Sequence, residues 1–194
     1  HLKMQYHYKS PAKINLFLNI IKKREDGFHD IQSIFQLINL HDEITFIKNY
    51  NNKINFNSNF KSLEKNNSIF DTIDIFRKKY NIKNIGLDII LKKNIPVGAG
   101  LGGGSSNAAS TLMALSHIFN LNIKKNILAK MGLSLGCDVP FFLNSNNAWV
   151  EGKGEIITNL YLKPCWFLII FSEHIVITKN IYNLIEIPST YIKN

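Results

Sequence analysis

A glycine-rich segment at residues 94–110, NIPVGAGLGGGSSNAAS, has the composition of a loop that binds phosphate. The apolar, β-branched residues before it, 86–93, predict a strand, and residues 106–121 after it predict an amphipathic helix. A loop in that position directs backbone N–H groups and the positive end of the helix dipole at one spot. Glycines let an anion approach the main chain, and Ser105 and Ser106 add hydroxyl donors. A flexible linker is the alternative, but a linker requires neither flanking element.

Three known nucleotide-binding loops fit this segment poorly. The G-x-G-x-x-G spacing that begins at Gly98 suggests a dinucleotide fold, but no Asp or Glu follows between Gly104 and Cys137 to bind a ribose. A Walker loop ends in Gly-Lys-Ser/Thr, whereas Gly104 is followed by Ser105. The catalytic and metal-binding loops of a protein kinase do not occur downstream. The segment is therefore predicted to be a phosphate loop of another type.

The elements that must position this loop alternate between strands and helices. Strands are predicted at residues 14–20, 31–40, 43–47, 53–57, 86–93 and 166–171. A first helix is predicted from a capping box formed by Ser68 and Asp71 to about Tyr80. The helix after the loop has one apolar face, formed by Ala108, Leu112, Leu115 and Phe119.

Later in the chain, a further helix is predicted at residues 124–135 and ends at Gly136. A hairpin is predicted around Gly152 and Gly154, and residues 179–186 predict the start of another helix.

Composition limits the class of protein. The 194 residues are 45% hydrophobic and carry a formal net charge of +9. The positive charge favours an anionic partner, such as a nucleic acid, a membrane surface or a phosphorylated small molecule. No apolar run is long enough to cross a bilayer and no signal peptide is evident, so we expect a cytoplasmic protein without a membrane partner. Cys137 and Cys165 form neither a zinc motif nor a disulfide framework, and reduced thiols are expected.

The glycine-rich segment resembles the second motif of the GHMP kinases, which phosphorylate small molecules with ATP. The matching residues are Pro96, Gly100, Leu101, Gly102, Ser105, Ser106 and Ala108. Three further segments resemble motifs of one branch, which acts on a cytidine-diphosphate-linked methylerythritol of non-mevalonate isoprenoid synthesis: SPAKINLFLNI, REDGFHDIQSIFQLINLHD and MGLSLGCDVPFFL. The resemblance implies an α+β fold, with a mixed sheet and helices on one side.

The resemblance also implies roles for individual residues. Asp138 matches the catalytic aspartate, although a lone Asp before Pro140 would ordinarily cap a turn. Lys13 matches the active-site lysine and is expected near Asp138, and Asn15 is expected to contact substrate hydroxyls. ATP, with Mg²⁺ held by unidentified ligands, is expected at the loop residues Pro96, Gly98, Gly100, Leu101, Gly102, Gly103, Gly104, Ser105 and Ser106.

The cytosine of the substrate is expected at the sequence DGFHD. Phe28 stands where the family usually has a tyrosine, so stacking on the base is retained and a hydroxyl contact is lost. His29 is expected to contact the polar edge of the base. Thr178 and Tyr182 match a substrate-binding threonine and an aromatic residue that closes over the base.

The family extends beyond the position of Asn194 and includes a third glycine-rich motif there. We therefore expect a C-terminally truncated chain, with a catalytic domain at residues 4–160 and the beginning of an incomplete second domain at residues 161–194. The leading hypothesis is an ATP-dependent kinase of the diphosphocytidyl methylerythritol substrate. The alternatives are another GHMP small-molecule kinase and an inactive relic that binds nucleotides or RNA through its positive charge; a nucleic-acid partner is the less favoured reading.

Overall fold

A mixed six-stranded sheet forms the centre of the domain. The structure, a computed structural model, describes residues 4–63 and 67–170. The strands are β1 (Gln5–Lys23), β2 (His29–Lys48), β3 (Ile54–Ser58), β4 (Leu87–Lys92), β5 (Ala148–Gly152) and β6 (Ile156–Asn159). Their order is β3-β4-β2-β5-β6, with β1 also paired to β2. Only β3 and β4 run parallel among these pairs.

Four helices pack with this sheet, which confirms the predicted α+β fold. They are α1 (Ser68–Lys79), α2 (Gly103–Ile118), α3 (Lys125–Leu135) and α4 (Val139–Asn144). The hairpin predicted around Gly152 and Gly154 is the antiparallel pair β5 and β6. Within the described residues, none of the helices has the length and hydropathy needed to span a membrane.

The two strands predicted at 31–40 and 43–47 are one continuous strand, β2. Its first part pairs with β5 and its last part pairs with β4, while β1 pairs along most of its length. The register of β1 shifts between Pro11, which pairs with His41, and Ala12, which pairs with Ile38, so the shift lies opposite Asn39 and Leu40 of β2. Because proline has no N–H to donate to the ladder, an irregular pairing is expected there. The strand therefore continues through His41 and Asp42, which pair with Pro11 and Ser10 next to the bulge.

The cap of α1 differs from the prediction. Asn67 is the N-cap residue, because its Oδ1 accepts hydrogen bonds from the N–H groups of Ile69 at 2.8 Å and Phe70 at 3.3 Å. Ser68, the predicted cap, instead donates its hydroxyl to the carbonyl of Gly104 at 2.6 Å. The capping-box prediction was therefore wrong by one residue, and Ser68 links α1 to the glycine-rich loop.

Helix α2 is buried on nearly all sides, not only along the predicted stripe. Its residues from Ser106 to Leu112 are all buried, because it contacts the sheet and the other three helices. Small side chains permit this close packing, and the hydroxyls of Ser10 in β1 and Ser110 in α2 form a buried hydrogen bond of 2.7 Å. The glycine-rich loop therefore leads into a helix that is largely buried.

The buried strand predicted at residues 166–171 is not present in the described part of the chain. Residues 160–170 have no regular structure, and Trp166 is fully exposed while Leu168 is 89% exposed. No described strand pairs with them, so their apolar side chains lack a surface to pack against. Only Ile169 packs against an apolar cluster, formed by Ala12, Ile95 and Leu101. Phe171 and the helix predicted at 179–186 lie outside the described residues.

Candidate active site

The glycine-rich loop encloses a cavity of about 300 Å³ at the N-terminal end of α2. Residues 96–105 form most of its wall, which is completed by Leu63, Asn67, Ser68, Leu91, Lys93 and Asn107. Among the loop residues, Gly98, Gly100 and Gly102 have φ angles of 78°, 73° and 74°. These left-handed conformations favour glycine and account for its repetition in the loop.

Gly102 has a second constraint, which is space. A Cβ at this position would lie 2.7 Å from Phe142 Cζ and 3.3 Å from Lys13 Cγ. Gly102 is also the N-cap residue of α2 and supplies no capping side chain. The N–H groups of the first turn of α2 are therefore not capped by a side chain, which suits them to bind an anion.

A buried carboxylate anchors the beginning of the loop. Asp42 Oδ1 accepts hydrogen bonds from the backbone N–H groups of Asn94 and Ile95, both at 2.8 Å. Asp42 Oδ2 forms an ion pair with Lys93 Nζ, and the side chains are 0% and 6% exposed, respectively. Neither residue was singled out from the sequence, because Asp42 is one of several polar residues along β2 and no local pattern marks it as buried. Asp42 and Lys93 thus hold the loop against β2.

The predicted pair of Lys13 and Asp138 lies beside this loop. Lys13 Nζ is 3.5 Å from Asp138 Oδ2, and the Lys13 side chain is 6% exposed while that of Asp138 is 29% exposed. The Lys13 ammonium also lies 4.4 Å from the centre of the Phe35 ring. Burial of a lysine is costly unless it is paired. The buried and paired Lys13 therefore differs from an ordinary surface lysine at the start of a strand, which would be exposed to solvent.

The alternative role of Asp138 as a capping residue is not observed. Asp138 precedes α4, but its side chain makes no capping hydrogen bond. Its carboxylate faces Lys13 and remains partly open to solvent. This position leaves the carboxylate available to a bound molecule.

Asn15 lies beside Lys13, as predicted for residues on one face of a strand. Its Oδ1 accepts a hydrogen bond of 2.6 Å from Lys13 Nζ, and its Nδ2 donates to Ser33 Oγ at 3.0 Å. Ser33 in turn donates to the carbonyl of Phe17. These bonds fix the orientations of both the Lys13 and Asn15 side chains.

Phe28 lies in the turn between β1 and β2, and His29 is the first residue of β2. The Phe28 ring is 46% exposed, and Lys153 Nζ lies 4.8 Å from its centre. Arg24 bonds to Asp26 at 3.2 Å and to Asp30 at 2.7 Å, which lowers the pKa of both carboxyl groups and raises that of the guanidinium. Asp26 also accepts from the Phe28 N–H at 3.2 Å. The turn that presents the ring is thus fixed by charged hydrogen bonds.

Ser105 lines the cavity, but Ser106 does not, because its side chain is 1% exposed and turned into the packing around α2. The next residue, Asn107, lines the cavity and is 3% exposed. Its Oδ1 has no hydrogen-bond partner among the described residues. Asn107 was not singled out from the sequence, and the asparagine after the serine pair was the available signal.

Two predicted substrate residues, Thr178 and Tyr182, lie outside the described residues.

Cys137, next to Asp138, is half-buried. Its burial and, to a smaller extent, the negative charge of Asp138 raise the pKa of its thiol. Because a thiol with a raised pKa is a poor nucleophile at neutral pH, we assign no chemistry to it.

Comparison with known proteins shows which kinases this chain is similar to. Residues 67–146 match the family described as "GHMP kinases N terminal domain". A curated relative from Francisella tularensis subsp. holarctica (strain FTNF002-00 / FTA), named 4-diphosphocytidyl-2-C-methyl-D-erythritol kinase, is 42% identical over 176 residues, or 90% of this chain and 64% of the relative. A relative of the same name from Ruthia magnifica subsp. Calyptogena magnifica is 37% identical over 180 residues, or 93% of this chain and 63% of the relative.

A solved structure agrees with these relatives. The crystal structure of a 4-(cytidine 5'-diphospho)-2C-methyl-D-erythritol kinase superposes with a TM-score of 0.69 at 32% identity, over 81% of this chain and 56% of that one. The chain thus spans just under two thirds of the length of the curated relatives it matches. Residues 67–146 of this chain thus match the N-terminal domain of the GHMP kinases, and the chain is similar in sequence and fold to proteins named 4-diphosphocytidyl-2-C-methyl-D-erythritol kinase.

Proposed function

We propose that this chain transfers the terminal phosphoryl group of ATP to the 2-hydroxyl of 4-diphosphocytidyl-2-C-methyl-D-erythritol. The observation that carries this proposal is the ion pair of Lys13 and Asp138 at 3.5 Å, beside a glycine-rich cavity that suits a phosphate. The names of the curated relatives support the substrate. The alternative of a relic that only binds nucleotides or RNA does not account for this buried, oriented pair.

The Asp138 carboxylate would accept the proton of the attacking hydroxyl. General-base assistance of this kind typically contributes a factor of about 10² to 10⁴ in rate. Lys13 would keep that carboxylate ionised and would stabilise the negative charge on the transferred group. Because Asn15 holds Lys13 Nζ at 2.6 Å, it would position the ammonium and present its own amide to the substrate hydroxyls.

The glycine-rich loop would bind the ATP phosphates. Main-chain N–H groups at the start of α2 and the Ser105 hydroxyl are the donors that this role requires. The Lys93 ammonium is oriented by Asp42 below Gly103, where an added Cβ would lie 2.7 Å from Lys93 Nζ. Because Asp42 balances this charge, Lys93 would contribute a hydrogen-bond donor beside the phosphates and no net positive charge.

The residues present fit a magnesium ion that arrives with the nucleotide. No group of three or more His, Cys, Asp or Glu side chains that could hold a metal occurs in the described part of the chain. Asn107 Oδ1 is a buried oxygen without a partner, and the Asp138 carboxylate is partly open. Asn107 Oδ1, which lines the cavity, would complete a coordination shell supplied mainly by phosphates and water, as Mg²⁺ commonly accepts, while Asp138 faces the attacking hydroxyl. When bound, the ion would neutralise phosphate charge.

The cytosine would stack on the exposed face of Phe28, with His29 near its polar edge. Offset stacking on an aromatic ring contributes roughly 0.5–1.5 kcal/mol beyond the buried area. Thr178 and Tyr182 remain proposed substrate residues on the grounds of the sequence alone.

A phosphoryl-transfer assay on the 194-residue chain tests this function. Formation of phosphorylated substrate from ATP, Mg²⁺ and 4-diphosphocytidyl-2-C-methyl-D-erythritol would be followed by ³¹P spectroscopy. We expect turnover by the parent chain and a loss of about 10²-fold or more in Asp138→Asn. Asp74→Asn, which removes an exposed carboxylate on α1, is the matched control and should retain full activity. A folded parent chain without turnover would refute the proposal.

A further inference from the structure

The end of the domain opposite the glycine-rich loop carries many exposed cations. Strand β2 and helices α1 and α2 end there, and β4 begins there. Helix α3 also begins there, because the N–H of Ile123 donates to Ser116 Oγ near the end of α2 at 3.0 Å. The exposed lysine and arginine side chains of these segments form the basic end: Lys48, Lys53, Arg77, Lys78, Lys79, Lys83, Lys124 and Lys125.

Backbone and ring contacts join the segments of the basic end. The N–H of Leu87 donates to the carbonyl of Lys53 at 3.0 Å, which connects the start of β4 to the turn after β2. Lys48 Nζ lies 5.8 Å from the centre of the Phe119 ring at the end of α2. That ring lies 6.4 Å from the ring of Phe76 in the last turns of α1. The cations of separate segments are therefore presented on one end of the domain.

Few carboxylates balance this charge. Asp74 of α1 forms an ion pair of 3.7 Å with Arg77. Asp88 of β4 accepts hydrogen bonds of 2.7 Å from the side-chain amides of Asn49 and Asn55. Among the described residues, the pair of Arg77 and Asp74 is the one ion pair within 4 Å that includes a member of the basic end. Most of its positive charge is therefore available to an external anion.

Helix stability accounts for only part of this cluster. Cations near a helix C-terminus interact favourably with the helix dipole, and Arg77, Lys78 and Lys79 lie at the end of α1. Lys124 and Lys125 lie instead at the start of α3, where the dipole disfavours positive charge, and Lys124 makes no capping hydrogen bond. Because like charges also repel one another, the cluster costs stability in the free domain and favours an anionic partner.

An exposed aromatic ring lies within the basic end. Tyr50 is 86% exposed and stands in the turn between β2 and β3, flanked by Lys48 and Lys53. Asn51 and Asn52 of the same turn are also exposed. An aromatic ring can stack on the face of any unpaired base, and asparagine amides can hydrogen-bond to base edges. The turn thus combines the groups that bind bases with the charges that bind phosphates.

A membrane surface fits this end less well. A helix that binds a membrane surface presents a broad apolar face beside its cations. In α1 that face, formed by Ile69, Ile73 and Phe76, is fully buried in the core. Leu121 and Ile127, before and within α3, are each only 40% exposed. The exposed ring and amides therefore favour unpaired nucleotides over lipid.

We propose that the basic end binds single-stranded nucleic acid, with phosphates on its lysines and a base stacked on Tyr50. Helix α2 has 16 residues and separates this surface from the glycine-rich loop by about 24 Å. Nucleic acid bound at the basic end therefore does not occupy the loop proposed to bind ATP. This activity is additional to phosphoryl transfer and does not depend on it.

Fluorescence anisotropy of a fluorescein-labelled oligouridylate, measured over a series of NaCl concentrations, tests the phosphate contacts. The logarithm of the association constant should fall linearly with the logarithm of salt concentration, by about 0.7 for each phosphate contact. We expect Lys48→Gln/Lys53→Gln to weaken binding roughly tenfold and to make this slope shallower by about 1.4. The control Lys23→Gln/Lys163→Gln removes two exposed lysines outside the basic end and should change the affinity less than about twofold.

Two substitutions of Tyr50 test the stacked base. Tyr50→Ala should weaken binding roughly fivefold or more, whereas Tyr50→Phe keeps the ring and should match the parent. Unchanged affinity in Tyr50→Ala would overturn the placement of a base on this ring.

Three other results would overturn the proposal as a whole. They are a folded parent chain that does not bind the oligonucleotide, binding that is independent of salt, and equal losses in the two double lysine variants. Binding to phosphatidylserine vesicles without binding to the oligonucleotide would also overturn it, in favour of a membrane. Because the substituted residues lie outside the candidate active site, phosphoryl transfer should be the same in every variant. Failure of this inference is thus distinguishable from failure of the proposed function.

Discussion

The backbone N–H of Lys13 donates a hydrogen bond of 3.0 Å to the carbonyl of Leu101. This bond joins β1 to the centre of the glycine-rich loop, so that the residue proposed to stabilise transferred charge is also fixed to the loop proposed to bind phosphate. Gly102 adds to the contact, because it leaves room for the stem of Lys13. The two halves of the candidate site are therefore positioned by one strand.

Asp42 is predicted to determine both the stability of the domain and the shape of the loop. Asp42→Asn would leave the buried Lys93 ammonium without its ion-pair partner, and we expect a loss of about 3–5 kcal/mol in the free energy of unfolding. Urea denaturation measures this change. The neighbouring exposed pair of Glu43 and Lys92 gives the control, since Glu43→Gln should cost less than about 1 kcal/mol. Equal losses in the two variants would show that the buried pair does not anchor the loop.

Ser106 and Asn107 are predicted to behave differently when each is replaced by alanine. Asn107→Ala removes a polar group that lines the cavity, so the dissociation constant for Mg²⁺ and ADP should rise by roughly tenfold. Ser106→Ala removes a buried hydroxyl without a partner and should leave nucleotide affinity and stability nearly unchanged. Calorimetric binding of ADP tests both variants. A loss of affinity in Ser106→Ala alone would instead support the role that the sequence suggested for its hydroxyl.

Tyr8 is predicted to make the domain less stable at alkaline pH. Its hydroxyl lies 2.7 Å from His117 Nδ1, and burial, with a smaller effect of Tyr6, raises its pKa to about 12. The folded chain therefore holds this proton above the pH at which the unfolded chain releases it, near pH 10. The resulting stabilisation is fully present below pH 10 and is lost between about pH 10 and 12, and we expect about 1–2 kcal/mol in total.

The comparison of Tyr8→Phe with the parent chain isolates this titration. Thermal unfolding would be measured from pH 8 to 12, and the parent should lose stability more steeply than Tyr8→Phe above pH 10. Tyr50→Phe is the control, because Tyr50 is 86% exposed and should follow the parent. Parallel curves for parent and Tyr8→Phe would refute the assignment.

The sequence was sufficient to predict the features that depend on local pattern. The strand before the loop, the helix after it and the hairpin at Gly152 are all present, because spacing of apolar residues and glycines specifies them. The proximity of Lys13 and Asp138 could not follow from pattern, since 125 positions separate them. It was predicted only through the resemblance to the GHMP kinases.

Features that depend on distant contacts were missed or assigned wrongly. Asp42 lay between two predicted strands and was given no role, whereas its carboxylate accepts hydrogen bonds from N–H groups about fifty residues later in the chain. The apolar residues 166–171 suggested a buried strand, but no strand of the described residues pairs with residues 166–170, and most of their side chains are exposed. Lys153 appeared to be one of many lysines, and only the fold places it over Phe28.

The central claim is that Lys13 and Asp138 act together on the transferred phosphoryl group. The most direct test is a double-mutant cycle of Lys13→Met and Asp138→Asn, with phosphoryl transfer measured in single turnover. If the residues act as a unit, the double variant should be about as slow as the slower single variant. If the two losses multiply, the residues act independently and their ion pair is not the catalytic device proposed.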